Sequence, residues 1–446
     1  MRALVSASMC LAALAGTAWG QYSTLIPFSN VRVGNNYEYQ SAIAFEGLDT
    51  AYAVNRDVEF TATPYAESQI IRIDNIRTDP TPTVLVTYQQ WCDFLGVEPE
   101  SQTLIGAGSR MKIIGDYLQF LDNTTDQIYR VHKVTGEISV FVSKEDITAV
   151  TGFGNANIIK ECAFSADDRM AFYDQVSKHL LEVDAEGNIS ILVSRSEFAN
   201  FYASLGAAEP VNAIAGGLSY DLEGNLYWSL SGSAFSPSSA GGSIYRRNAS
   251  DGVITRLVEE IDIWFASNSF GSVAFNDIIV GPDCHLYFFN RESAALHILA
   301  FDVTNPLATL DIYLDQNTLG TGPMGTFPAY VGQFEIYDKD LVFTSGGLSK
   351  ISSSVYHSRL LGFPLVRADF DRNGVVDDED VELMANCRTG PMVPYDVEAL
   401  PPNCTLTPDC NGFLSADLDR DGDVDQDDFG YLQRCYWPEP EPGCAD

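Results

Sequence analysis

Basic side chains are scarce in this 446-residue chain: 26 Lys and Arg stand against 61 Asp and Glu, a formal net charge of −35. That balance argues against nucleic acid or an anionic membrane as partner, because phosphate recognition needs a basic patch. Histidine is scarcer still. The five residues, at positions 132, 179, 285, 297 and 357, fall on different strands or turns without metal-ligand spacing and read as strand-surface residues. No HExxH, GxSxG or phosphate-binding glycine loop occurs, so the common signatures of zinc hydrolases, serine hydrolases and P-loop enzymes are missing. Beyond the N-terminus no run is apolar enough to cross a bilayer.

The N-terminus is different. Arg2 precedes a short apolar stretch, Ala3 to Ala15, and Ala18-Trp19-Gly20 places small residues where a leader is cut. Residues 1–20 are read as a secretory signal peptide cleaved before Gln21, which predicts a secreted or cell-surface protein. Nine cysteines are present. Cys10 leaves with the leader, and the remaining eight are an even number that permits disulfides in an exported chain. Cys92, Cys162 and Cys284 are scattered over the body. Cys387, Cys404, Cys410, Cys435 and Cys444 crowd the tail. Connectivity cannot be read from their order.

The body repeats itself. A short apolar strand recurs six times: Ala51–Val54, Leu118–Leu121, Met170–Tyr173, Leu226–Ser229, Leu286–Phe289 and Leu341–Thr344. A small or turn-forming polar residue follows in five of them, Asn55, Asp122, Asp174, Asn290 and Ser345. Second strands such as Gln127–Val131 and His179–Val183 come next, then turn signals such as Thr135-Gly136 and Glu186-Gly187-Asn188, then third strands such as Glu137–Val142. Ahead of each first strand there is usually another, as at Ile278–Val280. Four short antiparallel strands repeated radially are a β-propeller pattern. The sixth unit shows only three strands before the chain turns acidic. Tyr22–Pro27 is expected to supply the fourth and so remove an exposed edge. Residues 21–363 therefore read as a mainly β, six-bladed propeller of four-stranded antiparallel blades. This rhythm resembles the broad class of lactonase-like and NHL-type propellers.

Between units, Ser143-Lys-Glu-Asp146 and Ser194-Arg-Ser-Glu197 read as capping boxes that open short helices. These connections carry Trp91, Phe94, Phe198, Phe201, Tyr202, Trp264 and Phe265. Two readings stay open. The aromatics pack the helices onto the blades, or they form a face for a sugar or a protein.

From Arg367 to the end, 20 acidic residues face 5 basic ones. The shift in composition marks a boundary near Pro364 and a second domain over residues 364–446. Two twelve-residue frames lie within it, at 369–380 and 417–428. Asp369, Asp371, Asn373, the Val375 carbonyl, Asp377 and Asp380 fill positions 1, 3, 5, 7, 9 and 12 of the first. Asp417, Asp419, Asp421, the Asp423 carbonyl, Asp425 and Asp428 fill the same places in the second. Gly374 and Gly422 sit at position 6, and Val376 and Val424 at position 8. Calcium takes six to eight hard oxygen ligands, and an EF-hand loop supplies them at these positions, with Gly at 6 for the sharp turn. Two matches in register predict two calcium ions. An apolar series follows each loop at i, i+3, i+6: Val381, Met384 and Cys387, then Phe429, Leu432 and Cys435. No helix is expected before the second loop.

Loop followed by helix, without an entering helix, resembles type I dockerin modules, here of the cysteine-containing kind carried by exported proteins of planctomycete-type bacteria. The resemblance covers residues 367–437. It implies a small helical calcium-binding domain and attachment to a cohesin-like or other cell-surface protein. Positions 10 and 11 depart from the family. Asp378-Glu379 and Gln426-Asp427 stand where small or hydroxyl residues are common.

In the body, Glu161 and Asp277 each lie nine residues before the first residue of their unit's main strand, with Asn157 and Asn276 nearby and Gly217 at the matching place in unit four. Equal register should bring both acids to the mouth of the central channel, where some lactonase-like propellers hold calcium. Three functions remain compatible with the sequence: a propeller binding or scaffold domain with an attachment tail, an extracellular hydrolase or lactonase acting on carbohydrate or a lactone, and a surface adhesion protein.

Overall fold

The computed structural model describes residues 22–27, 42–56, 68–98, 105, 107–207, 214, 216–231, 241–267, 273–290, 297–321, 331–345, 354–361, 368–371, 375–397, 399–406, 408, 412–419 and 421–436. The expected leader, Asn373, Gly374, Cys410 and Cys444 lie outside the described residues.

Six four-stranded antiparallel sheets are formed. Blade 1 runs Ile43–Glu46, Thr50–Arg56, Ser68–Asp74 and Thr81–Val86. Blades 2 to 5 begin with inner strands Ala107–Ile114, Ile158–Phe164, Leu218–Tyr220 and Phe275–Val280, each followed in order by three more. Blade 6 takes Val331–Tyr337, Asp340–Ser345 and Val355–Arg359 from the end of the body, and Tyr22–Ile26 from the start. Tyr22 lies opposite Ser358 and Ile26 opposite Val355. The strand expected from the N-terminus thus closes the ring and covers the edge of blade 6.

Burial explains the apolar rhythm. The second strand of a blade is packed on both faces by its neighbours, and Met170–Asp174 and Leu226–Leu230 are buried at every position. Such strands read as continuous apolar runs. The outermost strands, as at Ile189–Val193, are only partly buried. The polar residue ending the second strand is a buried turn anchor. Asp174 accepts from the amides of Asn157 (2.8 Å), Val176 (3.3 Å) and Ser177 (2.9 Å), tying the turn to the inner strand.

One apolar cluster fills each of the six blade interfaces, the last joining Tyr337, Val342 and Val355 of blade 6 to Ile43, Ala51 and Ile71 of blade 1. Short helices pack into five of these interfaces, through Trp91, Ile147, Phe198, Tyr202, Ile263 and Leu319. Thr87, Ser143 and Ser194 cap three of them with complete capping boxes. Trp91, Phe198 and Tyr202 are buried there, so these connection aromatics do serve packing. Phe94 and Phe265 remain exposed, Phe265 at 71%.

In the tail, helices span Asp378–Cys387 and Gln426–Cys435. Val376, Val424, Met384, Leu432, Cys387 and Cys435 share one small core. Cys387 is disulfide-bonded to Cys404. Cys435 and Cys284 are disulfide-bonded as well. Cys92 and Cys162 are buried and not disulfide-bonded, so the even cysteine count does not translate into four bridges. No helix among the described residues is long and apolar enough to cross a membrane.

Candidate metal centres and the central channel

Among the described residues, the acid at position 12 makes the same backbone contacts in both acidic frames, displaced by 48 residues. In the first, the Asp380 carboxylate accepts from the amides of Phe370 (2.5 Å) and Asp371 (3.3 Å) on Oδ1 and of Asp377 (3.0 Å) on Oδ2. In the second, Asp428 accepts from Leu418 (2.6 Å) and Asp419 (3.2 Å) on Oδ1 and from Asp425 (2.9 Å) on Oδ2. Every partner in one set is the other's counterpart. Asp377 and Asp425 also serve as helix N-caps, with Asp380 and Asp428 completing the capping boxes. The residue at position 12 therefore pins loop and helix together.

Three groups of carboxylates have ligand atoms within 4.8 Å of one another: Asp369, Asp371 and Asp380; Asp417, Asp419 and Asp421; and Asp423, Asp425 and Asp428. These clusters near the C-terminus can hold a metal ion. Carboxylates only accept hydrogen bonds, so their crowding calls for a cation, and hard oxygens suit calcium. Asp423 carries the fit further. Its carboxylate, not only its carbonyl, faces Asp425 and Asp428, and its buried Oδ1 has no hydrogen-bond donor. A buried acceptor without a donor is destabilising unless a cation or water satisfies it. Burial pushes Asp428 up to about 6 and raises Asp380 in the same direction, against the backbone amides that favour the charged form. Val375 is half-exposed.

Sequence reasoning missed Tyr395 and Thr389 in the segment between the loops. Tyr395 Oη donates to Asp417 Oδ2 at 2.8 Å, and its amide donates to the Gly422 carbonyl at 3.2 Å. Thr389 Oγ1 accepts from the Val424 amide at 3.1 Å. The connecting segment braces the second loop.

In the propeller, the pairing between inner and second strands slips in blades 2, 3, 5 and 6, ahead of Met111, Cys162, Ile278 and Phe334. Those four residues lie opposite Phe120, Phe172, Phe288 and Phe343, so the residues just before them are equivalent: Arg110, Glu161, Asp277 and Gln333. Glu161 and Asp277 do share one register position. The equivalent residue in blade 4 is Gly217, at φ +154°. A Cβ there would stand 2.6 Å from the Ile278 amide nitrogen, so a side chain is excluded.

Arg110, unrecognised in the sequence, decides the character of this ring. Blades 2 and 5 stand on opposite sides, and the guanidinium crosses between them. It donates to Asp277 Oδ1 at 3.3 Å and to the Ile278 carbonyl at 2.5 Å. Its side chain is 7% exposed and that of Asp277 1%. Asp277 also accepts from the Ile278 and Phe334 amides at 2.8 and 2.9 Å. Arg110 supplies the positive charge a metal would bring, and among the described residues neither Glu161 nor Asp277 belongs to a three-carboxylate group. Nearby, burial raises Glu335 to about 7, with Arg110 acting in the opposite direction.

Of the histidines, His297 is buried, contrary to the strand-surface expectation, and burial lowers its pKa. His357 pairs with Asp340 at 2.6 Å.

These features define a class: a six-bladed propeller with a buried ion pair joining opposite blades, followed by a small acidic segment of two loop-and-helix units. No protein-family model matches the chain, and no curated protein matches it in sequence. Among solved structures it is similar to a Bacteroides thetaiotaomicron protein of unknown function, at 12% identity and a TM-score of 0.46 over 76% of each chain. It is also similar to virginiamycin B lyase from Staphylococcus aureus, at 12% identity and 0.42 over 77% of this chain and 100% of that one. A third is a calcium-binding protein, regucalcin, from Agrobacterium tumefaciens, at 9% and 0.43 over 75% and 93%.

Proposed function

We propose that this is an exported propeller whose C-terminal segment is a calcium-stabilised, dockerin-like attachment module. The observation that carries the reading is the repeated hydrogen-bond set. Asp380 and Asp428 hold the amides of equivalent residues in two loops, each beside carboxylates close enough to share one ion. With an ion bound, the mutual repulsion of the loop carboxylates becomes ligation, and the binding free energy contributes to folding a segment with little core of its own. The two ordered helices then present a surface to a cohesin-like or other cell-surface protein, and the propeller face meets a carbohydrate or protein ligand. The same tail would serve an extracellular hydrolase or lactonase equally well, because attachment is independent of what the propeller does.

Calorimetry on the full chain tests this. Two calcium ions per chain are expected, with Asp380→Ala and Asp428→Ala each removing one. Absence of calcium uptake, or both ions surviving the two substitutions together, would refute the assignment.

A further inference from the structure

Cys284 closes the tight turn between the first two strands of blade 5. Its amide donates to the Gly281 carbonyl at 3.0 Å, and its carbonyl accepts from the Val303 amide at 2.9 Å. The side chain is buried and disulfide-bonded. Its partner can be narrowed by elimination. Cys92 and Cys162 are not disulfide-bonded, and Cys387 and Cys404 bond each other. Cys435 is disulfide-bonded too, but not to Cys284, so of the nine cysteines Cys10, Cys410 and Cys444 remain. Cys10 falls in the segment read as a leader. The other two belong to the acidic tail.

Chain geometry points the same way. The last residues of blade 6 run against this very turn. A Cβ on Gly281 would meet Leu360 at 3.3 Å, and the Leu361 amide donates to Tyr287 Oη at 2.7 Å. Tyr287 Oη in turn donates to Asp283 Oδ2 at 2.6 Å, one residue from Cys284. The chain thus leaves the propeller beside Cys284. Only residues 362–367 separate Leu361 from Ala368, a span of at most about 25 Å.

We infer that Cys284 is cross-linked to a tail cysteine, so that the propeller and the C-terminal segment are joined covalently at a second point besides the main chain. The bond forms by two exchanges with an oxidised disulfide donor. One cysteine thiolate attacks the donor disulfide and displaces one donor thiolate, giving a mixed disulfide. The second cysteine thiolate attacks the protein sulfur of that mixed disulfide and releases the other donor thiolate. Two electrons and two protons pass to the donor, which leaves as a dithiol. With the cross-link in place, a partner that grips the tail also orients the propeller. It holds whether or not the tail binds calcium.

The test uses the full oxidised chain with a site-specific protease sequence placed within 362–367, free thiols being alkylated before cleavage. After cutting, non-reducing electrophoresis should show one species at full mass, and reduction should release two fragments. In Cys284→Ser the fragments should separate without reductant. Peptide mass mapping of the uncut, alkylated wild type gives an answer even if that variant fails to fold: a Cys284 peptide bonded to one carrying Cys410 or Cys444. Separation of the wild-type fragments without reductant, or a Cys284–Cys10 peptide, would overturn the inference. Repeating the cut in EGTA keeps this outcome distinct from loss of calcium binding.

Discussion

Replacing Arg110 by Met is the sharpest perturbation of the propeller. The guanidinium and Asp277 are both more than nine-tenths buried and lie 3.3 Å apart. At an effective dielectric of about 20, opposite charges at that distance attract by roughly 5 kcal/mol. Arg110→Met leaves Asp277 charged and buried, held by the Ile278 and Phe334 backbone amides. Breaking a buried pair in this way costs about 3–5 kcal/mol. Asp277→Asn strands the guanidinium and should cost a similar amount. The double variant removes both charges, so its loss should be well below the sum of the two single losses. Urea unfolding followed by the fluorescence of the buried Trp91 and Trp228 measures all three. If Arg110→Met unfolds within about 1 kcal/mol of wild type, or the double variant loses the full sum, the ion pair is not what stabilises this part of the ring.

Glu335 predicts a pH dependence. Its folded pKa is raised from 4.5 to about 7. The fold therefore keeps a proton that the unfolded chain releases, and stability is full below pH 4.5 and falls as pH rises through 7. Glu335→Gln should flatten that slope in thermal unfolding measured from pH 4 to 8; an unchanged slope would assign it elsewhere. Ser194→Ala should destabilise by about 1 kcal/mol, because it removes the hydroxyl that accepts from the Glu197 amide at the start of its helix. Chemical denaturation reads this, and a neutral result would mean the helix is held by Phe198 and Tyr202 packing alone.

Much of this protein was legible from residue order. Continuous apolar runs mark second strands because neighbouring blades cover both faces, and the acid ending such a run, as at Asp174, anchors the following turn by local hydrogen bonds. The ring closure by Tyr22–Ile26 could be anticipated because the sixth unit lacks a strand. The tail loops could be read because their carboxylates, glycine and valine recur in register within twelve residues. All of these depend on near neighbours in the chain or on counting repeats.

Arg110 could not be read this way. Counting nine residues back from the main strand finds Glu161, Gly217 and Asp277. Blades 2 and 6 make two-residue turns where blade 3 makes a five-residue one, so the equivalent residues Arg110 and Gln333 lie only eight back. Their significance also depends on closure of the ring. Arg110 meets Asp277 across 167 residues of sequence because six blades put the second opposite the fifth. The pairing of Cys387 with Cys404 and the Tyr395 brace on Asp417 belong to the same category. Residue order determined the repeat, the acidic loops and the chemistry they offer. Which charges, thiols and hydroxyls finally meet was decided by the tertiary fold, because contact between distant segments depends on how the whole chain packs.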